Sequence, residues 1–389
     1  MKIGIVLSQP PSYSETFFNS KIKGLIEHGY IVELYVRQKS SDYTNCKVFT
    51  APEVSNNRVI QLFKTTFVIL SLLPNLKGVL RFIKLEKSAG RSSSQTLKNI
   101  YTNSHLLKAN LDWLHFGFTT MALQSEHVAK SIGAKMAVSC RGYDMDVYPL
   151  KNPNCYSLIW VNVDKVHAIS KYMLTRAVEN GMLNTTENSI ITPAINTSLF
   201  QDNIEKQIDK IKPVRITTTA RLHWVKGLDY TLEALALLKT KGIKFNYEIL
   251  GEGSEYESLR FAVHELGLED NVSLVGKLSH KETLKKLQET DIYIQYSNSE
   301  GFCNAVLEAQ AMGCFCIVSD GGALPENVLN NETGWVVPKR NPVALVEAIS
   351  MVLNMDKLAL KAVRNIARER VLKEFAIKTQ IQSFIDFYE

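Results

Sequence analysis

Two glutamates, Glu300 and Glu308, flank the segment Ser299-Glu-Gly-Phe-Cys-Asn-Ala-Val-Leu-Glu308, which reads as a loop running into a helix. Phe302, Val306, Leu307 and Ala309 to Met312 recur at helical spacing, so Glu300 precedes the helix and Glu308 projects from its second turn. The rise along a helix puts the two carboxylates on the order of 10 Å apart, against about 5 Å for a pair acting together on one glycosidic bond. Either they hold opposite ends of an elongated ligand, or one is an exposed loop glutamate and the other a solvated helical one. After Gly301, the amides of Phe302, Cys303, Asn304 and Ala305 open the helix at the positive end of its dipole, where anions bind readily. Carboxylate, amide cradle and second carboxylate suit a nucleoside diphosphate-sugar, with its hydroxyls at both ends and its diphosphate between.

Such a cradle needs a rigid element behind it and cations nearby. Val214 to Ala220 reads as a strand, and Arg221-Leu-His-Trp-Val-Lys226-Gly227 follows it as a turn that opens a helix. Arg221 and Lys226 then stand at the C-terminal end of a strand, where doubly wound sheets bind ligands. Fixed there, they would stabilise the charge that develops on a departing diphosphate. The plainer reading is a surface Arg and Lys at a helix start.

With these residues in view the chain resembles the retaining family-4 glycosyltransferases, and within them the branch that builds colanic-acid-like and other exopolysaccharides. The likeness spans nearly the whole chain. It is densest from Ile216 to Ala348, through Arg-x4-Lys-Gly, Leu250-Gly-Glu-Gly253, Leu274-Val-Gly-Lys277, Glu-x7-Glu, Asp320-Gly-Gly-Ala-Leu-Pro-Glu326 and Asn331-Glu-Thr-Gly-Trp335. The resemblance implies an α/β fold of the GT-B type: two Rossmann-like domains facing across a cleft, with a C-terminal helix crossing back to the first. It implies that Glu300 contacts donor-sugar hydroxyls, Glu308 the ribose, Arg221 and Lys226 the diphosphate, and the loop Val275, Gly276, Lys277 and Leu278 the base. His115, in Leu-His-Phe-Gly117, matches a family residue that reaches the reacting sugar, although a lone histidine is more often a satisfied core residue.

The boundaries expected are 1–195 for an acceptor-binding domain, with residues 375–389 returning to it, 196–213 for a linker, and 214–374 for the donor-binding domain. Strands are expected at Lys2 to Leu7, Ile31 to Val36, Asp112 to Phe116, Met136 to Cys140, Val166 to Ile169 and Ile190 to Thr192. Where many relatives carry Gly-Gly after the first strand, this chain has Ser14-Glu15-Thr16-Phe, so phosphate or acceptor contacts there rest on Ser14, Glu15 and Thr16. Arg141 and Asp144, in Ser139-Cys-Arg-Gly-Tyr-Asp144, are further acceptor candidates. Arg141 could bind an anionic group or pair with Asp144 or Asp146.

No required metal or cofactor is expected. Asp144-Met-Asp146 lies in the wrong half of the chain for a donor-phosphate metal, and Gly251-Glu-Gly253 lacks the rest of a dinucleotide fingerprint. The 389 residues, 45% of them hydrophobic, suffice for two cores. Six cysteines without Cys-x-x-Cys or zinc spacing, and a first segment that reads as a strand rather than a leader, suggest a cytoplasmic protein. A net charge of +6 without a basic-aromatic recognition pattern does not point to nucleic acid. Residues 58–91 mix apolar residues with Lys and Arg around Pro74, too interrupted for a transmembrane helix. They fit either core-facing helices with basic edges or peripheral contact with an anionic membrane at its inner face.

The function these readings imply is retaining transfer of a hexose-type sugar from a UDP- or GDP-sugar to a hydroxyl of a saccharide or lipid-linked acceptor, in cell-surface polysaccharide synthesis. The rivals are a sugar-nucleotide epimerase of the same fold and a non-catalytic donor-binding subunit.

Overall fold

The computed structural model describes residues 1–11, 16–38, 43–200, 206, 208–209 and 211–389. The chain divides into two compact units, residues 1–169, 173–191 and 380–389 in the first and 170–172 and 192–379 in the second.

The first unit is built on parallel strands β1 (Lys2–Leu7), β2 (Ile31–Val36), β3 (Lys47–Thr50), β4 (Trp113–Phe116), β5 (Lys135–Cys140), β6 (Lys165–Ala168) and β7 (Glu187–Ile190), in spatial order β3-β2-β1-β4-β5-β6-β7. Ile3, Ile5 and Leu7 are buried and pack with Val32, Leu34 and Val36, as expected of central parallel strands covered on both faces. The helix Ile377–Tyr388 completes this core: Phe384, Ile385, Phe387 and Tyr388 are buried in it, each side chain contributing about 1.5–3 kcal/mol of hydrophobic stabilisation. Gly24 makes room for it, since a Cβ there would lie 2.4 Å from Ile381. The return to the first unit begins at Gln380.

The second unit carries strands β8 (Val214–Thr219), β9 (Phe245–Leu250), β10 (Val272–Gly276), β11 (Ile292–Gln295), β12 (Phe315–Ser319) and β13 (Trp335–Val337), parallel and in order β10-β9-β8-β11-β12-β13. In both sheets the strand order reverses beside the unit's first strand, which makes each unit Rossmann-like and leaves a crevice between β1 and β4 and between β8 and β11. The register across that second crevice is held from the side: Arg215 bonds Asp291 with Nε and Nη2, and Thr218 donates to the carbonyl of Ile294 at 2.6 Å.

Residues 196–213 are not a free connector. Their described members belong to the second unit, where Phe200 is buried and the Lys206 ammonium donates to the carbonyls of Leu287 and Thr290. Ser14 and Glu15 lie outside the described residues, and Thr16 begins the helix Thr16–Glu27.

Candidate active site

The segments after β8 and β11 flank the switch point of the second sheet, and they carry Lys226 and Glu300. The first makes a short turn, Trp224–Lys226, whose Val225 amide is accepted by the His223 ring and which ends at Gly227 with φ +57°. A Cβ at Gly227 would lie 2.3 Å from the Tyr296 carbonyl oxygen, so only glycine lets the two segments approach so closely. Asn298 then stitches them together, its amide donating to the Val225 carbonyl at 2.7 Å and its side chain to the Trp224 carbonyl at 2.9 Å.

Lys226 Nζ meets Glu300 Oε1 at 2.5 Å. The same oxygen accepts from Ser297 Oγ at 2.8 Å and Gln295 Nε2 at 3.2 Å, while Oε2 has no hydrogen bond among the described residues. The side chains of Lys226 and Glu300 are only 16% and 10% exposed. Burial is the largest single influence and works against the Lys226 charge, but the charge and hydrogen bond of Glu300, with Cys303 adding to them, leave the pKa raised. Arg221 is exposed, and its charge works against that rise.

The helix after Glu300 runs Asn304–Ala311, and Cys303 at its N-cap makes no side-chain capping bond. The cradle is narrower than the sequence implies. The Cys303 amide donates to Asn327 Oδ1 at 3.0 Å, and the amides before the first helical bond are those of Asn304, Ala305 and Val306, the last two facing the Cys303 thiol. Asn304 Oδ1 is buried with no partner among the described residues. Burial pushes the Cys303 thiol up to about 12, so it stays neutral beside this helix end. Phe302 packs against Phe375, their ring centroids 5.6 Å apart.

Glu308 sits one turn on, its Oε1 2.9 Å from His280 Nε2. That hydrogen bond raises the His280 pKa. The loop after β10 is tied in by its backbone: Gly276, at φ +84°, accepts from the Gly251 amide at 2.8 Å, while Leu222 donates to the Glu252 carbonyl at 3.0 Å. Val275 to Leu278 are thereby tied to the loop that carries Arg221. Lys277 reaches only an exposed pair with Glu252 at 3.6 Å.

In the first unit the expected roles change. His115 is fully buried, with Nδ1 2.6 Å from the Tyr388 hydroxyl and 3.2 Å from Lys21 Nζ, and Nε2 2.9 Å from Ser139 Oγ. Burial, with Lys21 adding to it, holds its pKa well below the usual value. It is buried like a core histidine, with both nitrogens engaged. Arg141 lies over the rings of Phe17 and Phe18 and donates to the Gly117 carbonyl, while Asp146 pairs with Arg176.

Asp144 is also buried. Its Oδ1 accepts from the Thr120 amide and hydroxyl, and Oδ2 has no partner among the described residues. Burial raises its pKa to about 6. A carboxyl whose folded pKa exceeds its unfolded value contributes stability that is complete at pH values below about 4 and lost as pH rises through about 6. Asp144→Asn should therefore flatten the fall in melting temperature between about pH 4 and pH 6, measured by thermal denaturation beside the wild type.

Two Rossmann-like units of parallel strands, with a cation-carboxylate pair at the switch point of the second, make up an α/β architecture of the GT-B type. The match to known proteins agrees. Residues 200–370 match the family model Glycosyl transferases group 1, so the second unit carries a domain of that group. The chain is 27% identical to the amylovoran biosynthesis glycosyltransferase AmsK of Erwinia amylovora, over 96% of both chains. It is 25% identical to the putative colanic acid biosynthesis glycosyltransferase WcaL of Escherichia coli K12, again over 96% of both. HepE of Anabaena, solved in complex with UDP, shares the fold with a TM-score of 0.71 at 13% identity, over 99% of this chain and 98% of that one.

Proposed function

We propose that the protein transfers a hexose-type sugar from a UDP- or GDP-sugar, with retention of anomeric configuration, to a hydroxyl of a saccharide or lipid-linked acceptor in exopolysaccharide assembly. The observation that carries this reading is Glu300, held by Lys226, Ser297 and Gln295 through one oxygen with the other available to a donor-sugar hydroxyl. The pathway rests on the names of AmsK and WcaL, and the nucleotide class on the UDP bound by HepE.

In this mechanism the diphosphate lies on the Asn304, Ala305 and Val306 amides with Arg221 beside it, and Glu308 takes the ribose hydroxyls. As the bond from the anomeric carbon to the diphosphate oxygen lengthens, negative charge grows on that oxygen, and Arg221, Lys226 and the helix end stabilise it. The acceptor hydroxyl attacks from the same face and passes its proton to the departing diphosphate, so no carboxylate nucleophile is needed. Arg221 and Lys226 supply the positive charge that a metal would otherwise bring, and we assign no metal or cofactor to the reaction.

Thermal denaturation with UDP-, GDP- and ADP-sugars tests the donor. One UDP- or GDP-sugar should raise the melting temperature by mass action, and a panel without response overturns the reading. With the responding donor, a transferase forms product only when acceptor is added. Conversion of donor alone would make the protein an epimerase, and binding without conversion under any acceptor would make it a donor-binding subunit.

A further inference from the structure

The helix Arg58–Ser71 is mounted with its apolar side outward. Val59, Leu62, Phe63, Phe67 and Leu70 recur at helical spacing on one face, and all are exposed, Phe63 at 73% and Phe67 at 75%. The side turned toward the protein carries Gln61, Lys64, Thr65, Val68 and Ser71, which are half-buried and of which only Val68 is apolar, and no residue of this helix is fully buried. A helix that stabilised the unit by its own burial would show the reverse arrangement. Contiguous apolar exposure of this kind marks a surface that meets something else.

The next helix, Leu76–Ser88, is anchored: Val79, Phe82 and Glu86 are buried in the first unit, and Glu86 accepts from Arg91, Asn99 and His127. The two helices are bent by 51°. At about 21 Å the first is shorter than the roughly 30 Å hydrocarbon layer, and no single described helix is long and apolar enough to cross a membrane. The core-facing reading made from the sequence therefore holds for the second helix and fails for the first.

Charge selects the occupant. From Val54 to Leu111 the chain contains one acidic residue, Glu86, and that one is buried and paired. The exposed charges on the anchored helix are Lys77, Arg81, Lys84 and Lys87, all positive. Exposed leucines and phenylalanines beside an unopposed basic row match a layer with an apolar interior and an anionic surface.

We propose that Arg58–Ser88 is a membrane-docking hairpin: the first helix lies in the interface of an anionic bilayer with Phe63 and Phe67 inserted, and the basic row of the second contacts the lipid phosphates. The proposal uses no residue of the second unit and stands independently of the sugar-transfer reading.

Co-sedimentation with vesicles tests it, using phosphatidylcholine alone and phosphatidylcholine mixed in equal parts with phosphatidylglycerol. The full chain should sediment with the mixed vesicles and much less with the neutral ones. Phe63→Ser with Phe67→Ser should weaken partitioning at least about tenfold, since two large apolar groups no longer leave water. Lys77→Glu with Lys84→Glu should abolish the preference for phosphatidylglycerol. All four positions are exposed, so an unchanged melting temperature shows that the fold is intact. Equal sedimentation of wild type and the Phe63/Phe67 variant overturns the proposal, as does a wild type that stays in the supernatant. A dimer in sedimentation equilibrium that the same variant dissociates also overturns it, by making a second copy the occupant.

Discussion

Lys226→Ala should lower turnover at saturating donor by about 10²- to 10³-fold, the loss typical when a preorganised contact to developing charge is removed. The lysine is fixed before substrate arrives: Gly227 and Asn298 hold its turn, and the pair with Glu300 holds its ammonium. It need not reorganise as the diphosphate departs, which is why its contribution should appear in turnover rather than in donor affinity alone. The substitution also leaves Glu300 as a largely buried carboxylate with only Ser297 and Gln295 as donors, and breaking a buried pair costs about 3–5 kcal/mol at the upper end. A double mutant separates the two effects. Glu300→Gln removes the stranded charge, so Lys226→Ala with Glu300→Gln should recover most of the lost stability, measured by urea denaturation, and none of the lost turnover. Recovery of both would mean that Lys226 acts only as a counter-ion for Glu300.

Legibility in the sequence followed the physics of each element. β1 and β2 begin and end where the sequence places them, because central parallel strands are continuous apolar runs that stop abruptly. β3 goes unseen, and β7 is expected at Ile190 to Thr192 but lies at Glu187–Ile190. Both are edge strands with half-exposed or polar residues, so neither carries an apolar run. In the candidate site, residue types were legible and partners were not. Lys226 and Glu300 stand out by spacing, whereas Ser297, Gln295 and Asn327, which fix the geometry, have no signal in one sequence. His280 starts a helix marked by a Ser279-x-x-Glu282 capping box, yet its pairing with Glu308 is set only when two helices pack. The surroundings of His115 are illegible for a similar reason: the group that seals it is the Tyr388 hydroxyl, from the far end of the chain.

The glycines of Asp320-Gly-Gly-Ala323 allow a stricter test, because one of them bears directly on Glu300. Gly322 has φ +68°, and a Cβ there would lie 2.4 Å from the Glu300 carbonyl oxygen and 2.8 Å from its amide nitrogen. The adjoining Ala323 amide donates to that same carbonyl at 2.8 Å. Gly322→Ala must therefore push the Glu300 backbone away from Lys226 or move the β12 loop, and a displacement near 1 Å at a reacting centre costs about 10²-fold. Turnover should fall by at least that factor, with a stability loss of about 1–2 kcal/mol from the left-handed backbone plus the steric clash. The control is Gly242→Ala. Gly242 has φ +75° with nothing within 4 Å of a Cβ, so it incurs the backbone strain without the clash, and its turnover should stay within about twofold of wild type. UDP or GDP binding, which in the proposed mechanism relies on Glu308 and the helix end, should survive Gly322→Ala far better than turnover does. If instead the two alanine variants lose activity alike, general backbone strain accounts for the defect and Gly322 has no special hold on Glu300.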